Sequence, residues 1–399
     1  MPTLLLLGGS KQQVVAIDTA KRLGCRTVLC DYLDDNPGQH HADVFYLVST
    51  TDKDAVLEIA KREKIDGVIA YASDPAAPTA AYVAEKLDLP GLPYSMAMNF
   101  CEKHLFRKFL SENGFNVPRS VEIAKGEPLD EDRFASLHLP VIVKPTDSSG
   151  SKGVTVVRDA HLLPDAIEEA WGFSRNDVLI VEEFIERDHP HVIEAELIVH
   201  DGAVKTWGII NSIRDAESNP LLPAAYSFPL EVTEEQRSIV EREISALVKA
   251  SGMKSGSFNI EMIIDKTGRL FFLDAGPRNG GNMLPDYISL ICGGDVVEAA
   301  IENALGWKLD ESICLDVGAS QCWGLVVLHS PVDFTFEGLR YSDLARRCLV
   351  KEVVFAKQGD RIPAFKVCTA AFGFVFLKFV SEKEKRDVMN HLEEHVWLS

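Results

Sequence analysis

The chain has 399 residues, of which 46% are hydrophobic and 25% are charged, a composition typical of a folded protein with two or three packed units. Asp and Glu number 60 against 41 Lys and Arg, so the formal net charge is −19. This charge argues against a broad basic face for nucleic acid or an anionic membrane, and no apolar run reaches the roughly 18 residues of a membrane-spanning helix. We therefore expect a cytoplasmic protein with no nucleic-acid and no membrane partner.

The N-terminal part of the sequence alternates between apolar strand segments and helix-period segments. Four segments are predicted to be strands: Thr3 to Leu7, Arg26 to Cys30, Phe45 to Val48 and Gly67 to Tyr71. Such alternation predicts a parallel sheet with helices on both faces. Pro90, Gly91 and Pro93 then interrupt the pattern, so we place the end of an N-terminal parallel α/β domain near residue 95.

A glycine turn follows the first strand and feeds the first helix. Asp31, just past the second strand, lies where a dinucleotide-binding domain would hold a ribose. The turn Gly8-Gly9-Ser10 nevertheless lacks the third glycine and the spacing of G-x-G-x-x-G, which disfavours a dinucleotide. Two interpretations stay open, namely a loop that holds part of an anionic substrate and a plain tight turn.

A small polar loop separates two predicted strands in the middle of the chain. Lys144 and Pro145 follow the apolar strand Val141 to Val143, and the loop then runs to a strand at Val154 to Val157. Its candidate phosphate-binding residues are Ser148, Ser149, Gly150, Ser151 and Gly153. Short side chains and free backbone N–H groups suit phosphate oxygens, and Lys144 adds an ammonium beside them. A strand-to-strand loop is not a Walker P-loop, which runs from a strand into a helix.

A hairpin is predicted over residues 259–274. If its turn closes between Asp265 and Gly268, Asn259 lies opposite Asp274, and Glu261 is a diagonal neighbour of Asp274 about 6–8 Å away. Two carboxylates on rigid strands can hold magnesium ions that bridge phosphate oxygens. Arg278 follows shortly after, where it can neutralise a transferring phosphoryl group or clamp a substrate carboxylate.

The order of these features resembles the ATP-grasp superfamily, in its branch of carboxylate–amine ligases built like biotin carboxylase and the purine-pathway ligases. The resemblance rests on Lys103 at a helix start, Val141-Ile142-Val143-Lys144-Pro145, Val181-Glu182-Glu183-Phe184-Ile185-Glu186, the strand with Glu261, and Asp274-x-x-x-Arg278. It implies an α/β protein with three domains: a parallel domain at 1–95, a two-part α+β ATP-binding domain at 96–310 with a mobile lid at about 118–190, and a small α+β domain at 311–399.

The resemblance also assigns roles to residues. It implies that Lys103 and Lys144 contact ATP phosphates, that the loop 147–153 folds over them, and that Lys144 and Arg278 act in catalysis. Glu182 would accept the adenine amino group, the backbone of Glu183 and Ile185 would pair with the ring edge, and Glu261 and Asp274 would bind Mg²⁺. The alternating apolar and acidic residues of 181–186 are equally typical of a half-buried strand that links two subdomains.

The sequence departs from the family at two places. Gly276 stands two residues after Asp274, where the family usually has Asn, so one metal contact is either lost or supplied by Asn279 or Asn282. Arg187 follows Glu186 where many relatives have glycine, which leaves Glu194 or Glu196 as candidates for a ribose contact.

We expect an ATP- and magnesium-dependent ligase that joins a small-molecule carboxylate to an amine through an acyl phosphate. The alternatives are a bicarbonate-activating carboxylase, a small-molecule kinase of the same fold, and a catalytically silent ATP-binding module. The loops expected to face the substrates are Gly8 to Gln13, Ser73 to Pro78 and Ile209 to Phe228. A homodimer is one assembly that the sequence allows.

Overall fold

The computed structural model describes residues 1–128, 131–215, 217–309 and 321–398. These residues form a parallel α/β unit, a small antiparallel sheet and a large antiparallel sheet with helices. The α/β class predicted from the sequence is confirmed. None of the helices within these ranges is long and apolar enough to cross a bilayer.

The N-terminal unit contains a four-stranded parallel sheet in the order β3-β2-β1-β4. Its elements are β1 (Thr3–Leu7), α1 (Val14–Arg22), β2 (Arg26–Asp31), β3 (Val44–Leu47), α2 (Lys53–Glu63), β4 (Gly67–Ile69) and α3 (Ala77–Lys86). Every residue of β1 is buried, because it is an inner strand covered on both faces. The predicted alternation of strands and helices is therefore confirmed.

The glycine turn after β1 is closed by its own neighbours. Asp31 accepts hydrogen bonds from the N–H groups of Gly9 (2.7 Å) and Leu33 (2.9 Å), so its carboxylate stabilises the turn. Gly8 has a φ of +110°, and a Cβ there would lie 2.3 Å from the Gln13 amide. These contacts favour the plain tight turn over a dinucleotide site.

Two helices, α4 (Tyr94–Cys101) and α5 (Lys103–Glu112), follow the N-terminal unit. The helical pattern of the sequence predicts one helix from Cys101 to Asn113, whereas α5 begins at Lys103. Glu102 is extended between the helices, and the N–H of Lys103 donates to the carbonyl of Thr146 at 2.8 Å. A long-range hydrogen bond thus sets the first residue of α5.

The small antiparallel sheet, with strand order β5-β8-β6-β7, carries the Ser/Gly loop. Its elements are β5 (Ser120–Ala124), α6 (Glu131–Phe134), β6 (Val141–Pro145), β7 (Thr155–Val157), α7 (Leu163–Trp171) and β8 (Val178–Glu183). Strands β6 and β7 pair in antiparallel register from Val141 with Val157 to Val143 with Thr155. The loop therefore runs from strand to strand, as predicted.

The large sheet has eight strands in the order β13-β12-β9-β10-β11-β14-β19-β17. Its first part comprises β9 (Val192–His200), β10 (Ala203–Asp215), β11 (Asn219–Phe228), α8 (Glu234–Ser251), β12 (Gly256–Ile264), β13 (Leu270–Gly276), α9 (Leu284–Cys292) and α10 (Val296–Ala304). The hairpins predicted around residues 201–202 and 265–268 are both present, as β9–β10 and β12–β13.

The C-terminal part of the chain adds three strands to the same sheet, and its other strands form two-stranded sheets. It comprises β14 (Cys322–Leu328), β15 (Phe334–Thr335), β16 (Leu339–Tyr341), α11 (Asp343–Cys348), β17 (Leu349–Val354), β18 (Arg361–Ile362), β19 (Gly373–Phe379), α12 (Glu382–Asn390), α13 (Leu392–His395) and β20 (Val396–Leu398). The sequence pattern predicts one helix from Glu382 to Glu394, whereas the structure has two helices there. The domain boundary predicted at 310/311 lies outside the described residues, and the domain limits stay predictions.

Candidate functional site

A cavity of about 460 Å³ lies between the small sheet and the large sheet. The predicted site residues that line it are Lys103, Lys144, Ser148, Ser149, Gly150, Ser151, Glu182, Glu183, Ile185, Glu261 and Asp274. Gly153 and Arg278 do not line this cavity. A Cβ on Gly153 would lie 2.7 Å from the Phe173 ring, so Gly153 packs against that ring. The fold thus brings most of the predicted residues to one cavity.

Lys103 links the Ser/Gly loop to the large sheet. Its Nζ donates to the carbonyl of Ser148 at 2.8 Å and lies 3.6 Å from an Asp274 carboxylate oxygen. The start of α5 positions this side chain, because the backbone of Lys103 is bonded to Thr146 beside the loop. An ammonium group therefore lies between the loop and β13.

A buried triad of charges lies at the wall of the cavity. Glu182, which is 1% exposed, pairs with Arg107 Nε at 2.5 Å through one oxygen and with Lys144 Nζ at 2.6 Å through the other. Burial alone would raise the pKa of Glu182, but Arg107 and Lys144 lower it to about 2. Oε1 accepts one of these hydrogen bonds and Oε2 accepts two, so the predicted bond to an adenine amino group would have to share a carboxylate that already pairs with two cations.

The β12–β13 hairpin has a different register from the predicted one. Glu261 lies directly opposite Asp274, and Asn259 lies opposite Gly276. The predicted turn is present, since the N–H of Gly268 donates to the carbonyl of Asp265 at 2.9 Å. The N–H of Asp265, however, donates to the carbonyl of Arg269, which shifts the pairing by one residue, and a β-bulge after Glu261 adds Leu273 to β13. Directly opposed residues project from the same face, so the two predicted metal carboxylates are closer neighbours than the sequence suggested.

Each of these carboxylates faces a cation. Glu261 lies 3.0 Å from Arg214 Nη2, and Asp274 faces Lys103. Burial would raise the pKa of Asp274, but Lys103, Arg107 and other nearby cations lower it below its usual value. Asp274 therefore offers ionised oxygen ligands at neutral pH.

This ligand set fits magnesium that is shared with a nucleotide. Among the described residues, no group of three or more His, Cys, Asp or Glu side chains is arranged to hold a metal ion alone. Mg²⁺ commonly takes one or two carboxylates and completes its shell with phosphate oxygens and water. The predicted substitutes for the missing Asn are engaged elsewhere, since Asn279 donates to Glu196 (2.9 Å) and Asn282 to the Tyr226 hydroxyl (2.9 Å).

Arg278 pairs with an aspartate of the N-terminal unit. Its Nε and Nη2 lie 2.7 and 2.5 Å from Oδ1 of Asp74, and its Nη1 donates to the side chain of Asn259 at 3.2 Å. Burial would lower the pKa of Arg278, but the negative charge of Asp74 beside it holds this pKa above its ordinary value. Arg278 is thus a fixed cation beside Gly276, at the end of β13.

Glu194 and Glu196 do not line the cavity, so the structure does not support their tentative ribose role. They lie on β9, an interior strand between β12 and β10, and are at least 97% buried. Burial raises the pKa of Glu194 to about 7 and that of Glu196 to about 8. Glu196 accepts hydrogen bonds from Asn279 and Gly280, and so holds the loop after Arg278.

Three residues of the site were missed in the sequence. Arg107 follows Lys103 by four positions, a spacing that places both on one helix face and could have been noticed. Arg214 lies on β10 without a flanking motif. Asp74 belongs to the loop Ser73 to Pro78, which was expected to face a substrate, but nothing in the sequence singled out its carboxylate.

Comparisons with known proteins agree with this arrangement. Residues 102–312, more than half of the chain, match the family model described as carbamoyl-phosphate synthase L chain, ATP binding domain. Residues 17–91 match the ATP-grasp N-terminal domain. The lysines, the loop and the two carboxylates all fall within the first match.

Two curated relatives are formate-dependent phosphoribosylglycinamide formyltransferases. The chain is 34% identical to that of Synechococcus sp. (strain CC9605) over 47% of this chain and 48% of the relative. It is 26% identical to that of Haloquadratum walsbyi over 69% of this chain and 67% of the relative. The match thus spans about half the length of the first relative.

Two solved structures share the fold over the whole chain. The L-amino acid ligase from Bacillus licheniformis superimposes with a TM-score of 0.83 at 22% identity, covering 100% of this chain and 98% of that one. Phosphoribosylglycinamide synthetase from Anaerococcus prevotii gives 0.77 at 20% identity, covering 100% and 99%. At these identities the likeness shows the fold.

Proposed function

This chain belongs to the ATP-grasp family of the carbamoyl-phosphate synthase type, and from that premise we propose that it is an ATP- and magnesium-dependent carboxylate–amine ligase. In the proposed reaction, ATP phosphorylates a carboxylate to an acyl phosphate, and an amine displaces phosphate to form an amide-type bond. The observation that carries the proposal is a single cavity lined by two lysines, a Ser/Gly loop and two opposed carboxylates.

The adenine end of the nucleotide is assigned to the end of β8. The chain leaves the small sheet after Glu183, and Glu183 and Ile185 line the cavity there. We assign the pairing with the adenine ring edge to these backbone groups. Glu182 then acts beneath them as the anchor of Arg107 and Lys144.

The phosphate end is assigned to the Ser/Gly loop and its lysines. Gly150 and Ser151 both have positive φ, a backbone arrangement that can turn successive N–H groups toward an anion. Lys103 and Lys144 add two ammonium groups to the lining of the cavity. Closure of the loop would keep water from the acyl phosphate.

Catalysis in this scheme is mainly electrostatic. Glu261 and Asp274 would hold magnesium, which supplies charge neutralisation at the phosphate oxygens. Lys103 and Lys144 orient the transferring group, and Arg278 stabilises charge where the carboxylate reacts. The scheme requires no nucleophilic side chain of the protein.

Lys144→Met is expected to weaken MgATP binding at least about tenfold, because a charge-assisted phosphate contact is worth about 1.5–3 kcal/mol. Calorimetric titration measures this change. Lys108→Met is the control for the loss of a lysine charge elsewhere. Lys108 is 70% exposed and lies on the same helix as Lys103, the other lysine of the site. Because Lys144 also pairs with Glu182, urea unfolding of both variants shows whether they are folded at the assay temperature. An unchanged dissociation constant in folded Lys144→Met would contradict the phosphate role.

Positional oxygen labelling tests the reaction type. With MgATP and the acid alone, ADP should form slowly, and addition of the amine should release ADP and phosphate in equal amounts. Label placed in the acid's carboxylate should appear in the released phosphate, because one carboxylate oxygen bridges to phosphorus in the acyl phosphate. Label found only in the product would exclude this route.

The same assay separates the alternatives. A stable phosphorylated product would identify a kinase, and a strict requirement for bicarbonate would identify a carboxylase. Tight MgATP binding without turnover on any pair of acid and amine would identify a silent module. A cytoplasmic location and a homodimer stay predictions, the second of which size-exclusion chromatography with light scattering can test.

A further inference from the structure

Gly276 allows the Asp74 carboxylate of the N-terminal unit to approach closely to the end of β13 in the large sheet. A Cβ on residue 276 would lie 2.7 Å from Oδ1 of Asp74 and 2.9 Å from Cζ of Arg278. Both distances are shorter than real Cβ contacts, so a side chain here would displace the ion pair between Asp74 and Arg278. The close approach of these two groups therefore depends on glycine at this position.

Asp74 uses only one of its oxygens in this pair. The hydrogen bond from Arg278 Nε and its closest ion-pair contact both reach Oδ1, while Oδ2 accepts no hydrogen bond from the residues that the structure describes. The side chain is 33% exposed and lines a second cavity of about 340 Å³. Because Oδ1 is held by Arg278, Oδ2 is the oxygen left for a molecule in that cavity.

The second cavity adjoins the phosphate end of the first. Lys103, Ser148, Ser149 and Asp274 line both cavities. A small molecule in the second cavity would therefore lie next to the groups assigned to the transferring phosphate. Its position suits a substrate that reacts there.

The open oxygen of Asp74, rather than the net charge of this cavity, favours a hydrogen-bond donor there, because Lys53, Lys103 and Arg175 also line the cavity. The neighbouring Asp147 and Asp274 are paired with Arg175 (3.5 Å) and Lys103 (3.6 Å), as Asp74 is with Arg278. In the described part of the chain, Oδ2 of Asp74 accepts no hydrogen bond, and Arg278 fixes its orientation through Oδ1. A compact ammonium group, with three donors, is the ligand that such an oxygen binds well.

We propose that Asp74 binds the ammonium group of the amine-bearing substrate in this second cavity, and that Gly276 is the residue that lets it do so. This inference rests on the ligase activity proposed above. Arg278 holds the carboxylate through Oδ1, which lowers the entropy cost of binding through Oδ2. Asp74 thereby determines which class of small molecule reaches the phosphate.

Matched pairs of L-amino acids and their N-acetyl derivatives test the assignment, because only the ammonium group differs within a pair. An N-acetyl derivative has no free amine to react, so the readout for these pairs is binding, measured by calorimetric titration in the presence of Mg²⁺ and a non-hydrolysable ATP analogue, and phosphate release from MgATP is the readout for the variants below. Free amino acids should bind with dissociation constants at least tenfold lower than those of their N-acetyl forms. Equal values within the pairs would overturn the proposal.

Asp74→Asn keeps the shape and an acceptor for Arg278 but removes the charge. It should lower kcat/KM for the active amino acids at least tenfold, mainly through KM, with the MgATP dissociation constant unchanged within twofold. Asp18→Asn, which removes an exposed aspartate from the same unit, should leave both values unchanged. Parent-like kinetics in Asp74→Asn would overturn the role of Asp74.

Gly276→Ala tests the dependence on glycine. It should raise KM as Asp74→Asn does. In an Asp74→Ala background its effect should be smaller than in the parent, because only Arg278 then remains for the new Cβ to displace. Additive effects would overturn the link between the two residues. If no amino acid supports phosphate release although MgATP binds normally, the ammonium assignment is overturned. If the parent protein does not bind MgATP, the proposed function itself is overturned.

Discussion

Asp274→Asn and Glu261→Gln are each expected to lower kcat at least about 10²-fold, a loss of the size seen when a preorganised group that stabilises transition-state charge is removed. Neither change alters the side-chain shape, but each removes one hard oxygen charge from the pair that lies opposed on β12 and β13. Turnover at saturating MgATP is the measurement. Nucleotide affinity should change less than kcat, because the lost interaction acts mainly in the transition state.

Two controls make this result specific to the metal pair. Glu235→Gln removes an exposed carboxylate at the start of α8 and should leave kcat unchanged. Urea unfolding is needed for Glu261→Gln, because Arg214 loses its charged partner in that variant. Full activity in either folded variant, with an unchanged dependence on magnesium concentration, would contradict the assignment.

Glu182→Gln is expected to destabilise the protein by about 3–5 kcal/mol, because it leaves Arg107 and Lys144 buried without a counter-charge. The free energy of unfolding in urea measures the loss. Glu186→Gln, four residues along the same segment, is the matched control. Glu186 is 61% exposed and pairs with Lys266 at the surface, so its replacement should cost less than about 1 kcal/mol. Similar losses in both variants would contradict the buried triad.

The pH dependence of stability gives an independent check of the same group. The pKa of Glu182 is about 2 in the folded protein and about 4.3 in an unfolded chain. Its contribution to stability is therefore complete above about pH 4.3 and is lost as the pH falls toward 2. Between these values the parent should lose stability more steeply than Glu182→Gln. Equal slopes of the unfolding free energy against pH in the two proteins would show that the pKa of Glu182 is not lowered by folding.

Local patterns in the sequence determined much of the fold and the identity of the cavity residues. The alternation of strands and helices predicted the parallel sheet, because burial on both faces requires continuous apolar strands. Lys144 before a Ser/Gly loop, and acids within the 259–274 hairpin, pointed to one phosphate-binding arrangement. These features depend on residues that are close in sequence, so residue type and spacing are enough to predict them.

The tertiary structure alone decided how these parts meet. The first residue of α5 depends on a hydrogen bond from Lys103 to Thr146, and the register of Glu261 with Asp274 depends on a bulge. Asp74 meets Arg278 from 204 positions away. Such contacts depend on the packing of distant segments, in which one hydrogen bond or one glycine can change the geometry, so no local propensity or spacing predicts them.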